Sequence, residues 1–169
     1  MPQDHHREEV MDDFWRSSKN VDWYTPPFIF EALNIDFDLD PCSPPIERYK
    51  TRAAKHYTLP NNDGLIDPWF GEVWLNPPYG RGIEKWVEKM YNHNQGILLT
   101  HVTALPNRWF HQYFDHFRSI CFVKGRINFI NGLGQSAGSS SQGQMLIAFG
   151  DKSKQAVQNC NLGKVWDIR

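Results

Sequence analysis

The sequence predicts an α/β domain built on one mostly parallel sheet with flanking helices. Three observations lead there. Short apolar runs at 73–75, 97–102, 119–123 and 145–149 alternate with segments of helical period, the pattern of strand–helix crossovers. Two strand-like runs stop in proline-rich polar turns, Asp40-Pro41-Cys42-Ser43 and Asn76-Pro77-Pro78-Tyr79, and sheets of this class bind ligands at the carboxyl ends of their strands. The chain has 169 residues, 40% of them hydrophobic, enough for one core and too few for a comfortable second.

Residues 1–20 read as a polar, mobile lead-in with no sustained apolar period, leaving 21–169 as one domain. Order is expected from Asp22-Trp23-Tyr24. Thr25 then reads as an N-cap and Pro26 as the first helical residue, where a missing N–H costs nothing. Phe28, Ile29, Ala32 and Leu33 form the apolar face of that helix. Strict alternation over 35–40 signals a short strand, ended by Pro41. Residues 43–72 are Pro-, Asn- and Gly-rich and read as loop with one short helix. After the strand at 73–75, Ile83, Trp86, Val87, Met90 and Tyr91 recur at helical spacing, and Gly96 reads as the stop. A strand over 97–102 follows, then a helix after Pro106-Asn107 carrying Phe110, Tyr113, Phe114 and Phe117. Strands are read at 119–123, 127–130 and 145–149. The Gly/Ser/Gln-rich stretch 131–143 reads as a mobile loop. No internal repeat is visible.

Composition narrows the function classes. Eighteen Lys and Arg face 19 Asp and Glu, for a net charge of −1, so a globally basic nucleic-acid binder is excluded and any such contact must use local patches. No apolar run approaches the roughly 18–20 residues of a membrane span, and the N-terminus lacks a signal-peptide core. Three scattered cysteines make no disulfide framework, which points to a reducing, cytoplasmic setting. Aromatic residues reach 14%, with seven Trp, an excess that asks for a role.

Asn76-Pro77-Pro78-Tyr79 is the most informative stretch. One reading is a rigid turn. The other starts from a chemical difficulty: an exocyclic amino nitrogen on adenine or cytosine is a poor nucleophile, its lone pair being delocalised into the ring. Two acceptors aimed at its N–H bonds favour a pyramidal nitrogen and direct the lone pair at an electrophilic methyl. The Asn76 side-chain oxygen supplies one acceptor, and the carbonyl of Pro77, held by fixed φ, supplies the other. Tyr79 can stack on a base taken out of the helix. Positioning then does the work without a shifted general base.

Residues 73–80, Val-Trp-Leu-Asn-Pro-Pro-Tyr-Gly, resemble motif IV of amino-methyltransferases that use S-adenosylmethionine. The wider set is similar to the phage-encoded Dam-type DNA N6-adenine methyltransferase family: Trp23-Tyr24-Thr25-Pro26, Phe37-Asp38-Leu39-Asp40-Pro41-Cys42, Asp63-Gly64-Leu65 with Trp69, the NPPYG segment, Trp86-Val87, Trp109-Phe110-His111, and Gly125-Arg126-Ile127-Asn128-Phe129. It covers roughly residues 22 to 149. The resemblance implies a Rossmann-like methyltransferase sheet, S-adenosylmethionine as cofactor and double-stranded DNA as partner, in a bacterial host cytoplasm if the chain is phage-encoded. It implies that Thr25 and Pro26 line the methionine end of the cofactor. Asp40, with Pro41, would lie near its methionine or ribose, and Asp63 near its adenine. Asn76, Pro77, Pro78 and Tyr79 would hold the target amino group and base. Arg126 and Phe129 would stand at the far wall, near DNA or the base.

The sequence departs from the family pattern in two ways. The loop from Asp40 to Pro45 has no glycine, so a different or a weak cradle is expected. Only 35 residues, 41–75, separate Asp40 from Asn76, too few for two full strand–helix units, so a trimmed sheet lacking one or both strands on that side is expected. Basic residues cluster at Lys50, Arg52, Lys55 and His56, at Arg81, Lys85 and Lys89, and at Lys124 and Arg126. Arg81, Lys85, Arg108, Lys124 and Arg126 are the candidate nucleic-acid contacts, against the alternative of solvated surface. Trp86 reads as core; Trp109, beside Arg108 and His111, reads either way. His101, His111 and His116 show no metal-ligand spacing, and Cys42 reads as a small packed residue. The expectation is methyl transfer to adenine N6 of DNA. Cytosine N4, RNA adenine, a protein glutamine, a non-catalytic nucleic-acid-binding relative, and self-association stay open.

Overall fold

The computed structural model describes residues 24–44, 51–131 and 133–168, so the expected lead-in, Trp23 and Lys50 lie outside it. Helix α1 is Pro27–Leu33, with Pro26 at the N-cap position and Pro27 at N1. It begins one residue later than Thr25-Pro26 suggested, and no side chain caps it, so the Thr25 hydroxyl is left for another partner. Ile29, Phe30 and Leu33 make its buried face, while Phe28, expected inside, is 45% exposed.

Strand β1 (Phe37–Asp40) is followed by β2 (Ala53–His56). Among the described residues of the 43–72 stretch no helix forms, and β2 is a strand that was not expected there. Ala53-Ala54-Lys55-His56 has little strand character of its own, and its pairing with β1, Phe37 to Ala53 and Asp40 to His56, fixes its state. Strand β3 (Val73–Leu75) is wholly buried and leads to helix α2 (Ile83–His93). Asn94, left-handed, ends α2. Gly96, expected as the stop, instead opens β4 (Gly96–His101): a Cβ there would stand 2.2 Å from the Val73 carbonyl oxygen. Helix α3 (Arg108–Tyr113) carries on as one 3₁₀ turn, Phe114–His116. Strand β5 is Ser119–Val123. The stretch expected to be a mobile loop contains β7 (Ser136–Ser139), which pairs antiparallel with β6 (Asn128–Ile130) as a separate ribbon. Strand β8 (Gln144–Phe149), helix α4 (Asp151–Asn159) and strand β9 (Gly163–Asp167) complete the chain. Neither α4 nor β9 was expected. In α4 only Ser153, Ala156 and Val157 face inward, and β9 is exposed along most of its length, so neither shows a strong apolar period.

The main sheet has the order β2-β1-β3-β4-β8-β5-β9. The first four strands are mutually parallel. Strand β8 is antiparallel to both β4 and β5, and β9 is antiparallel to β5, so five of seven strands share one direction. One strand, β2, lies outboard of β1, which is the trimming expected from the short Asp40–Asn76 connection. Helices cover both faces. One layer packs Trp86, Val87 and Met90 of α2 and Phe110 and Tyr113 of α3 against Leu75, Leu98 and Ile147. The other packs Ile29, Phe30 and Leu33 of α1 and Val157 of α4 against Phe37, Trp74 and Ile97. The Trp74 ring meets Phe30 and Phe37 edge-on at 4.7 and 5.5 Å. Central strands buried on both faces explain the unbroken apolar runs.

Candidate active site

Because β1, β3 and β4 are parallel, their carboxyl ends deliver Asp40, Asn76 and His101 to one edge of the sheet. Asn76 leaves β3 directly after the buried Leu75. Its Nδ2 donates to Thr25 Oγ1 at 3.4 Å, and its Oδ1 accepts from the Tyr79 hydroxyl at 2.8 Å. The Thr25 hydroxyl, free of capping, thus helps fix which way the amide points. Tyr79 Oη also lies 3.5 Å from the Leu99 carbonyl, and its ring stacks on the His101 imidazole at 3.9 Å and 28°. Burial pushes the Tyr79 phenol well above its ordinary range, so its hydroxyl stays a donor.

The second half of the site lies at the end of β1. Asp40 is buried. Its Oδ1 accepts from the Cys42 amide at 3.1 Å and its Oδ2 from the Thr51 hydroxyl at 2.5 Å. Burial raises its pKa, opposed by those two hydrogen bonds and by His56. The loop at Asp63 closes against it: a Cβ on Gly64 would stand 1.9 Å from the Pro41 carbonyl oxygen and 2.9 Å from the Trp86 ring. Only a glycine lets the Asp63 loop come this close to Pro41. Asp63 Oδ1 accepts from the Leu65 amide at 2.9 Å, and Trp69 Nε1 donates to the Gly64 carbonyl at 2.7 Å. The Cys42 thiol is pushed well above its ordinary value by burial first, then by the charges of Asp40 and Asp63. Cys42 also acts on the Tyr79 phenol, so the two halves of the site adjoin. A protonated, half-buried thiol is no nucleophile.

The family model for DNA N-6-adenine-methyltransferase (Dam) matches residues 14–162. The chain belongs to the Dam family. It is an S-adenosylmethionine-dependent DNA adenine methyltransferase. No curated protein and no solved structure matches it, and no helix among the described residues is long and apolar enough to cross a membrane.

In this Dam-family methyltransferase the candidate DNA-contacting cations share a rim. Arg81 and Lys85 follow β3, Arg108 follows β4, and Lys124 and Arg126 follow β5, all beyond carboxyl ends, and all five are exposed. Lys89 is otherwise engaged, its Nζ donating to the Asp67 carbonyl at 2.6 Å and lying 5.3 Å from the Trp69 ring centre. Arg52 pairs with Asp36 at 3.1 Å, at the opposite edge. Phe129, expected at the far wall near the base, is 2% exposed and packs in the α1/α4 layer; an aromatic in a polar ribbon is its anchor to the core. Trp86 and Trp109 are both buried. His111 is exposed and His116 packs edge-on against Tyr91. Sequence reasoning missed Thr51, the partner of Asp40, and the stack of His101 on Tyr79. Neither residue stands in a motif, and sheet register alone brings them in.

Proposed function

We propose that the methyltransferase extrudes its target adenine and holds the N6 amino group on Asn76 and the Pro77 carbonyl, with Tyr79 against the base. The observation that carries this reading is the hydrogen-bonded set Thr25–Asn76–Tyr79 at the end of β3. Thr25 Oγ1 accepts from Asn76 Nδ2, which leaves Oδ1 turned to Tyr79, and an oxygen with two lone pairs can serve both Tyr79 and an incoming N–H. Fixed φ at Pro77 and Pro78 keeps the second acceptor from rotating away. Two acceptors on one amine localise its lone pair, so the catalytic contribution is geometric and electrostatic.

S-adenosylmethionine supplies an electrophilic methyl on a cationic sulfur. The chain's residues suit such a group: Asp40 and Asp63 direct negative charge into the space around Cys42, and Gly64 lets two loops approach without a side chain between them. Asp40, Pro41 and Asp63 would hold the cofactor, with Thr25 and Pro26 at the boundary between cofactor and base. The exposed Arg81, Lys85, Arg108, Lys124 and Arg126 would contact phosphates.

The test is Asn76→Ala. Asn76 is only partly buried, so the variant is expected to keep the wild-type circular dichroism spectrum and melting temperature within a few degrees. It should lose at least about a hundredfold of radiolabelled methyl transfer to plasmid DNA. Methyl incorporation at the wild-type rate would overturn the mechanism.

A further inference from the structure

We propose that β9 is the surface on which a second copy of the chain docks, its free edge pairing antiparallel with its own counterpart about a two-fold axis at Val165. Strand β9 (Gly163–Asp167) ends the main sheet, so β5 is its one strand neighbour among the described residues. The ladder with β5 decides which peptide groups are already used. Lys124 N donates to the Leu162 carbonyl at 2.8 Å and Ile168 N to the Arg118 carbonyl at 3.3 Å. Between them the register sets Ile120 opposite Trp166 and Phe122 opposite Lys164. Bonded pairs alternate along an antiparallel ladder, so Leu162, Lys164, Trp166 and Ile168 turn their peptide groups to β5. Those of Val165 and Asp167 turn to the free edge.

This edge is complementary to itself. Outward peptide groups bond only to outward peptide groups, and the register that covers the whole strand sets Val165 opposite the second copy's Val165. Gly163 then faces the second copy's Asp167, and Lys164 faces its Trp166, each pair occurring twice by symmetry. Lys164 and Trp166 form the non-bonded pairs, whose side chains approach most closely. Both are exposed, Trp166 at 56%, and Val165 is 37% exposed. The Trp166 ring is steadied by Phe114, T-shaped at 5.8 Å. A lysine commonly guards a free edge against pairing. Here its ammonium meets an indole, the best aromatic partner for a cation, and no like charges oppose each other. A two-fold axis normal to the sheet runs two seven-stranded sheets together and reverses strand direction across the join. The carboxyl edges that carry Asn76 therefore point opposite ways in the two copies, so each copy meets its own duplex.

Sedimentation equilibrium of the full chain tests the proposal. The wild type should form a dimer and nothing larger, with a Kd of about 1–100 µM, as suits a small strand-edge interface. Val165→Pro removes an N–H that β5 does not use, and an outer edge tolerates proline. That variant should keep the wild-type circular dichroism spectrum and rate of methyl transfer, while its dimer Kd rises at least about tenfold. Trp166→Lys leaves every peptide group in place but sets lysine against lysine, and should weaken the dimer by a similar factor. Adding Lys164→Glu to it restores opposite charges and should bring the Kd back to within about threefold of wild type. A wild type that stays monomeric up to about 300 µM would overturn the proposal. So would a dimer that Val165→Pro and Trp166→Lys leave unchanged, or one that the added Lys164→Glu fails to restore.

Discussion

Tyr79 faces the site with a hydroxyl on Asn76 and a ring on His101. The tetrapeptide that contains it was legible in the sequence because its geometry is local: consecutive prolines fix the backbone, and Asn76 and Tyr79 are only three residues apart. Its partners were not legible. Thr25 reads as a helix cap, and only the one-residue shift of the α1 start hands its hydroxyl to Asn76. His101 stands at the end of a strand with no motif around it. Burial lowers its pKa below the usual value near 6.5, so the ring on Tyr79 is neutral at pH 7.5. A histidine depressed in the folded state stabilises it above the unfolded pKa, and that contribution is lost as pH falls through the folded value. His101 C2–H should therefore titrate by NMR with a midpoint below 6.5. The melting temperature of His101→Phe should fall less than that of wild type between pH 7.5 and 5. Equal acid sensitivity would remove the burial argument.

At the scale of elements, the strongly periodic α2 and the buried strands β3, β4, β5 and β8 agree with the sequence reading, because their side chains face the core with helical or strand period. The strands that escaped are those whose state comes from a neighbour. Strand β2 exists by pairing with β1, β7 by pairing with β6, and β9 by pairing with β5. The glycine-free loop after Asp40 looked like a weak cofactor cradle when read along the chain. Across space, Gly64 meets Pro41. Gly64→Ala is accordingly expected to push the Asp63 loop off β1 and weaken S-adenosylmethionine binding at least about tenfold by calorimetry, with a stability loss of about 1–3 kcal/mol. Unchanged cofactor affinity would place the cofactor elsewhere.

For the molecule as a whole, the charge of −1 hides an uneven distribution. Five exposed cations follow the carboxyl ends of β3, β4 and β5, while the acidic pair Asp40 and Asp63 sits within the same edge. DNA affinity should therefore depend on salt despite near neutrality. If three to five of those cations neutralise phosphates, log K against log salt should have a slope of about −3 to −4.5 by fluorescence anisotropy. A slope near −1 would mean that the rim makes little phosphate contact.

The Tyr24–Ile130 bridge also sets an order of assembly. Thr25 meets Asn76 across 51 residues, and Tyr24, the residue before it, is bridged to Ile130 of β6, a closure that distant chain segments reach late. A ribosome-bound chain that has not yet delivered residues 128–130 cannot form that bridge. Strands β3 and β4 can then pair before the bridge beside Thr25 closes, so the sheet edge under Asn76 can stand before the segment over it is tied down.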